Sequence, residues 1–429
     1  MSSTRKTVAV IGLGYVGLPL AMAFAQYGYT IIGIDLDDRK LQALNEGRSY
    51  IKDIPDSLVK SALESHRFSP TKDRRRLQEA DVIIICVPTP LTEDNEPDMT
   101  YLLQAAADVR DHLRQDQIIV LESSTYPGTT REVLKPMLEQ SGLIVGTDIY
   151  LGYSPERVDP GNRSYPLEVI PKVISGITEK CAGAVEDVYK TVFRTVVRIS
   201  STDAAEMTKL LENAYRFINI SFINEIAQLC TRMGIDVWEV IEAARSKPFG
   251  FSAFYPSPGV GGHCIPVDPL YLQWRSKQFG ASSSFIAIAQ EVNHRMPAFV
   301  VEGIKEAISR GSLSGVKILV VGVTFKANID DIRESSSIEL IKRLQQEGAL
   351  ISYYDPYVPE ITVQGEKLAC YRFSENEEGL NDCAIIAVDH DDLPLQRIID
   401  QVPLVYDARN TLKGMSGKAK IIRLGGGTI

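Results

Sequence analysis

Cys264 lies in the run Gly261-Gly262-His263-Cys264-Ile265-Pro266-Val267-Asp268-Pro269. Glycines and prolines with no apolar periodicity form an irregular loop, and such a loop can present a thiol to a ligand as a nucleophile. Cysteine is also a common small buried hydrophobe, and the loop by itself admits both readings. Cys86, Cys230 and Cys383 sit inside strand or helix patterns and read as structural. Lys209 and Asn213 are four residues apart in a helical stretch, so they share a face one turn from each other. A solvated polar face is the usual meaning of such a pair. Here the helix should be buried along much of its length, which favours a site. Thr125 in Glu122-Ser123-Ser124-Thr125-Tyr126-Pro127-Gly128-Thr129, and Glu156 in Ser154-Pro155-Glu156-Arg157, follow strand patterns. Residues at the carboxyl ends of parallel strands face a ligand crevice, although Thr and Glu there also serve as caps.

Gly12-Leu13-Gly14-Tyr15-Val16-Gly17 lies between a strand and a helix, the context that gives this pattern meaning. Gly12 suits the tight turn, Gly14 lets the backbone approach a pyrophosphate, and Gly17 lets helix and strand pack closely. Asp35 closes the next strand, where a carboxylate accepts from an adenosine ribose and repels a 2′-phosphate. That combination expects NAD rather than NADP. In the last third of the chain, Lys326, Arg333 and Arg409 follow strands. Cations there suit an anionic group such as a diphosphate, with surface solubility as the plainer alternative.

These residues need elements to hold them. KTVAVIG (6–12) and TIIGID (30–35) read as strands flanking a helix from Leu18 to Tyr27. DVIIICVP (81–88), QIIVLESST (117–125) and DIYLGYSPE (148–156) continue the strand series, with helical stretches between them, as in a doubly wound sheet. From Asp203 to Gly234 no proline or glycine interrupts a helical pattern, long enough to span roughly 40 Å. A second helix is expected over 235–246. Strands KILVVGVTF (317–325), ALISYYDP (349–356) and DCAIIAVDHD (382–391) then echo the first half. The expected class is α/β: two Rossmann-like doubly wound domains joined by a long central helix, divided at 1–200, 201–312 and 313–429. That helix is a plausible dimer surface.

Composition bounds the function. Apolar residues make up 44% and charged residues 24%, with a net charge of −9. This is ordinary globular composition, and the acidic balance argues against nucleic acid as a partner. No membrane span or signal peptide is expected, the six scattered cysteines suggest reduced thiols in the cytoplasm, and no metal site is read.

Taken in order, GLGYVG, VPTP, STYPG, SPER, the Lys209–Asn213 pair, GGHCIPVDP, FK…RES and DAR resemble the UDP-glucose/GDP-mannose dehydrogenase family over nearly the whole chain. YSPERVDPGN, AAEMTKLLEN, KPFGF and GGHCIPVDPLYL resemble most closely its bacterial UDP-N-acetylglucosamine 6-dehydrogenases. The resemblance implies an N-terminal NAD domain, a central helical dimerisation region and a C-terminal UDP-binding domain. It implies Cys264 as nucleophile with Asp268 as its carboxylate partner, Lys209 and Asn213 beside the reacting oxygen, and Thr125 and Glu156 positioning or activating water. NAD contacts would come from Gly12, Gly14, Tyr15, Val16, Gly17, Asp35, Pro88, Thr89, Thr125 and Arg333. The substrate would meet Glu156, Arg157, Lys209, Asn213, Tyr255, Gly261, Lys326 and Arg409. Some relatives place a second glutamate four residues after the first, where this chain has Pro160, so Glu156 is the better candidate base.

The reaction so implied is a four-electron oxidation of a 6-hydroxyl to a carboxylate through a cysteine thiohemiacetal and thioester, in service of surface polysaccharide synthesis. The N-acetylgalactosamine, N-acetylmannosamine and glucose nucleotides are alternative substrates. A single-step alcohol dehydrogenase would need no cysteine, and a non-catalytic NAD sensor would need neither Cys264 nor the Lys209–Asn213 pair. NADH yield per substrate separates the three.

Overall fold

The computed structural model describes residues 6–157, 165–308, 311–373 and 381–426. The chain divides into two compact units, Met1–Glu212 with Val267–Ser282, and Asn213–Pro266 with Ser283–Ile429.

The first unit is built on an eight-stranded sheet. Its strands are β1 (Thr7–Ile11), β2 (Thr30–Ile34), β3 (Phe68–Thr71), β4 (Val82–Ile85), β5 (Ile118–Leu121), β6 (Tyr150–Tyr153), β7 (Lys172–Gly176) and β8 (Val196–Arg198). Their order is β3-β2-β1-β4-β5-β6-β7-β8. β4 (VIII) and β5 (IIVL) are buried at every residue, as expected of central parallel strands covered on both faces. The covering helices are α1 (Gly17–Gln26), α2 (Asp38–Asn45), α3 (Asp56–Glu64), α4 (Thr100–Arg110), α5 (Lys135–Glu139) and α6 (Glu179–Tyr189). Side chains start several of them: Asp37 accepts from the Arg39 amide and Thr178 from that of Cys181, satisfying N–H groups that a helix leaves unpaired. The sheet departs from an all-parallel expectation at one junction, because β7 pairs antiparallel with β6. Chain order reverses direction between β1 and β4, so their carboxyl ends form the switch point where ligands bind in such sheets.

α7 (Thr202–Met233) is one uninterrupted helix of 32 residues, followed by α8 (Val237–Arg245), α9 (Asp268–Lys277) and α10 (Ser284–Ile308). The second unit contains β9 (Lys317–Val321), α11 (Ser336–Gln346), β10 (Leu350–Tyr354), β11 (Glu360–Val363), β12 (Glu366–Ala369), β13 (Cys383–Ile386), α12 (Leu395–Gln401), β14 (Leu404–Asp407) and β15 (Lys420–Arg423). Five of these strands form a parallel sheet in the order β10-β9-β13-β14-β15, and β11 and β12 pair as an antiparallel hairpin. This is the second common doubly wound order, with its switch point between β9 and β13.

The echo between the two ends of the chain is atomic as well as topological. Gly12 and Gly322 each follow the first strand of their sheet with positive φ, 91° and 86°. Asp35 accepts from the Leu13 amide at 2.9 Å, and Asp355 from the Val323 amide at 2.8 Å. They differ in one respect. His390 accepts from the Asn328 amide through Nδ1, so its Nε2 carries the proton and donates to Asp355 at 3.0 Å. A histidine therefore holds the carboxylate whose counterpart in the first unit, Asp35, pairs with Lys40.

Candidate active site

The turn after β1 is shaped by sterics. A Cβ on Gly12 would stand 2.5 Å from the Cys86 carbonyl oxygen, and one on Gly17 would overlap the carbonyl of Gly12. A Cβ on Gly14 would meet nothing within 4 Å, so packing within the protein does not demand that glycine, whereas close backbone approach by a ligand does. The first turn of α1 carries no acidic residue, and its cap Val16 supplies no side-chain acceptor. Its amides thus keep the partial positive charge that attracts phosphate. Tyr15 and Val16 pack on the core behind the turn. Asp35 holds the turn with one oxygen and accepts from the Asp37 amide with the other, and Lys40 pairs with it at 3.3 Å. Tyr50 adds a hydrogen bond to the Leu13 carbonyl. These residues fit a dinucleotide.

Beyond β4, the Thr89 hydroxyl donates to the Ser124 carbonyl at 2.7 Å, and Tyr271 of α9 donates to the Thr89 carbonyl at 2.9 Å and to the Pro90 carbonyl at 3.1 Å. Pro88 and Thr89 are thereby fixed between the β5 loop and α9. Beyond β5, Thr125 is fully buried, its hydroxyl 2.6 Å from that of Thr129. Beyond β6, Glu156 is nearly buried, and its main-chain carbonyl accepts from the Lys209 ammonium. Arg157 pairs with Glu212 at 2.7 Å and donates to the Pro171 carbonyl. Asp268 is buried at the first position of α9. The first unit therefore gathers Thr125, Glu156 and Lys209 at the carboxyl ends of β5 and β6, with the lysine delivered by α7. Val158, Asp159 and Pro160 lie outside the described residues.

Asn213, one turn beyond Lys209 on α7, is also buried, so neither residue sits on a solvated face. In the second unit the cysteine loop is moulded on the segment after β9. A Cβ on Gly261 would meet the Glu334 carbonyl, Gly262 adopts φ +83° against the Phe325 ring, and the His263 ring stands edge-on to Phe325 at 6.3 Å. Asn293 accepts from the Val260 amide at 2.7 Å and donates to the Val260 carbonyl. Cys264 is half-buried, whereas Cys86, Cys230 and Cys383 are buried. Burial pushes the thiols of all three up, which disfavours the reactive thiolate.

Arg333 and Arg409, in the last third, have protein partners. Arg333 pairs with Asp331 at 2.6 Å and Arg409 with Asp389 at 3.1 Å, and the Lys326 carbonyl accepts from the Thr324 hydroxyl. Tyr255 stacks on Trp238 at 6.0 Å and hydrogen-bonds Glu242. Two features carry no sequence signal of their own. Glu122, buried by its position after β5, pairs with the buried Lys172 at 2.6 Å and accepts from Tyr189. Burial pushes its carboxyl up while the lysine opposes that. Glu206, three residues before Lys209, accepts hydrogen bonds from the loop after Thr125. Among the described residues no group of three or more His, Cys, Asp or Glu could hold a metal, and no helix is long and apolar enough to cross a membrane.

A doubly wound sheet with this first turn is that of a dinucleotide-binding protein. Residues 6–193 match the NAD binding domain of the UDP-glucose/GDP-mannose dehydrogenase family, 203–295 its central domain and 319–414 its UDP binding domain. The chain belongs to the UDP-glucose/GDP-mannose dehydrogenase family and is an NAD-dependent UDP-sugar dehydrogenase. It is 33% identical to a UDP-N-acetyl-D-mannosamine dehydrogenase of Methanococcus maripaludis, over 95% of this chain and 93% of the relative. It is 37% identical to a UDP-N-acetyl-D-glucosamine 6-dehydrogenase of Pseudomonas aeruginosa, over 82% of this chain and 83% of the relative. Among solved structures, the UDP-D-ManNAc dehydrogenase of Pyrococcus horikoshii aligns with a TM-score of 0.89 at 32% identity, covering 99% and 100% of the two chains.

Proposed function

We propose that this enzyme oxidises the 6-hydroxyl of a UDP-N-acetylhexosamine, UDP-N-acetylglucosamine foremost, to the uronic acid through a thioester on Cys264. The observation that carries this reading is a half-buried thiol on a glycine-framed loop in a chain matched along its length by a nucleotide-sugar dehydrogenase family. Residues 1–200 would hold NAD, 201–312 would supply the dimer helix and the cysteine loop, and 313–429 would hold UDP. NAD, when bound, accepts the hydride of each oxidation. In the first oxidation the sugar alcohol becomes an aldehyde, and its hydroxyl proton leaves to a base or ordered water. The Cys264 thiolate adds to that aldehyde, and Lys209 and Asn213 stabilise the oxyanion of the thiohemiacetal. The second oxidation leaves the thioester. Water activated near Glu156 and Thr125 then cleaves the carbon–sulfur bond, returning the thiol and releasing the carboxylate. Asp268 assists Cys264, while Arg157, Tyr255, Gly261, Lys326 and Arg409 bind substrate and Arg333 contacts NAD. One alcohol, two NAD⁺ and one water give one carboxylate, two NADH and three protons.

The mannosamine reading has its own support, since full-length relatives carry that name. A panel of UDP-sugars incubated with NAD decides both points. The expected result is two NADH per uronic acid, with the N-acetylglucosamine nucleotide giving the highest kcat/KM. A higher value for the N-acetylmannosamine nucleotide would transfer the assignment to that epimer. One NADH and no acid would indicate a single-step dehydrogenase, and no NADH with any sugar would point to an NAD sensor. Six free cysteines, the long helix and the family match support a cytoplasmic homodimer.

A further inference from the structure

Glu206 is fully buried on α7, and the reaction outlined above gives it no task. Its carboxylate accepts from the Gly128 amide at 2.6 Å through Oε2, and from the Thr130 amide at 2.8 Å and the Thr130 hydroxyl at 2.7 Å through Oε1. Gly128 has φ +101° and opens a π-helical turn (Thr129–Leu134) that runs into α5. The amides at such a start have no partner within the helix. The same loop carries Thr125, tied to Thr129 by their hydroxyls, and Thr129 donates to the Tyr126 carbonyl. One turn further along α7, Lys209 holds the main chain of Glu156. Glu206 is therefore the bolt between the loop of Thr125 and the helix turn that delivers Lys209.

We propose that Glu206 is a positioning residue that fixes Thr125 relative to Lys209, and that it does so fully only as the carboxylate. This rests on the reading of Thr125 and Lys209 as site residues. Three donors converge on two oxygens, so each oxygen must accept. A proton on Oε2 would face the Gly128 amide and displace that bond, whereas Oε1 could keep those from Thr130. Burial raises this carboxyl to about 7, against the three donors, which lower it, and Asp203, which adds to the rise. The charged or titratable groups around it are Asp203 on the same helix, held by Arg131, with Tyr126 on the loop and Tyr153 on β6. The phenols of Tyr126 and Tyr153 are raised by burial and stay neutral, so Glu206 is the group among these that changes charge near neutrality. The bolt should tighten as pH rises through about 7 and slacken below it.

The test compares wild type with Glu206→Gln, Thr130→Val and Thr130→Ser. An amide at 206 puts its NH2 against an N–H donor, and valine removes the hydroxyl donor. Both should lower kcat, by up to roughly a hundredfold for a displacement near 1 Å, while KM for NAD and UDP-sugar shifts less than about threefold. Thr130→Ser should recover most of the loss. The fall in wild-type kcat below pH 7 should be absent from the Glu206→Gln profile. Amide hydrogen exchange at Gly128 and Thr130 should quicken in Glu206→Gln without any substrate. If that variant does not fold, Thr130→Val decides. Wild-type kcat in folded Thr130→Val, or an unchanged pH profile and unchanged exchange in Glu206→Gln, would overturn the proposal. A wild-type enzyme that makes no acid from any UDP-sugar would instead overturn the function, with amide exchange still reporting whether the bolt exists.

Discussion

Lys209 donates to the main-chain carbonyl of Glu156, and this detail separates the two jobs of that residue. Replacing the side chain leaves the carbonyl in place, so Glu156→Gln keeps the lysine's anchor and removes only the carboxylate. In the proposed reaction both oxidations then proceed and thioester hydrolysis slows, by roughly 10²–10⁴, the usual range for a lost general base. Rapid mixing with excess NAD should show a burst near two NADH per active site followed by slow turnover. Mass spectrometry of the quenched enzyme should find the sugar on Cys264. Cys264→Ser should form no thioester and release no acid, because an ester is harder to form and cleave here. A uniformly slow Glu156→Gln reaction with no adduct would assign Glu156 to the oxidation steps.

Among the elements, the β1–α1 turn is the most constrained. Gly17 sits where a Cβ would overlap the Gly12 carbonyl and stand 3.2 Å from the Cys86 side chain, and neither backbone can give way without moving β1 or β4. Gly17→Ala should cost about 1–3 kcal/mol as overpacking and weaken NAD binding more than tenfold, read by calorimetric titration with NAD. Unchanged affinity would mean that the turn does not form the NAD site. This turn, the strands at 7–11, 30–34, 82–85, 118–121, 150–153, 317–321, 350–354 and 383–386, and α7 were all legible, because β-branched runs, glycine spacing and an uninterrupted helical period are local signals. What escaped has local reasons too. β3 contains Pro70, tolerated because β3 is an edge strand. β7 begins with the buried Lys172, a charge that disguises the run and finds its partner Glu122 fifty residues earlier. β8 has three residues, none buried. Among the proposed site residues, Gly12, Cys264, Lys209 and Asn213 could be singled out from the sequence, whereas Glu206 could not, since two of its three donors are backbone amides of a distant loop and leave no residue pattern.

At the scale of the whole molecule, α7 has two faces of opposite character. Glu206, Lys209, Leu210, Asn213, Phe217 and Asn224 are buried, while Leu211, Tyr215, Phe222, Leu229 and Met233 are 59%, 49%, 55%, 47% and 61% exposed. At about 100° per residue those five fall within roughly 40° of one line, and they run about 33 Å along the helix. A sustained apolar stripe with solvent on it is a surface that calls for a partner. A two-fold axis across the middle of the helix would set the stripe against itself, Phe222 near the centre, with both copies using the same patch. In the proposed homodimer, then, the helix bearing Lys209 and Asn213 is braced from the side its own chain leaves open. Phe222→Glu combined with Leu229→Glu tests this. Each lost apolar contact would remove about 1.5–3 kcal/mol, and the buried carboxylates would repel their symmetry mates, so association should weaken by at least about 10²–10⁴. Glutamate is a good helix former and both positions are exposed within the chain, so circular dichroism should be unchanged. Light scattering should then give one chain mass for the variant and two or more for wild type. A monomeric wild type, or a doubly charged variant that still associates, would assign the stripe another role.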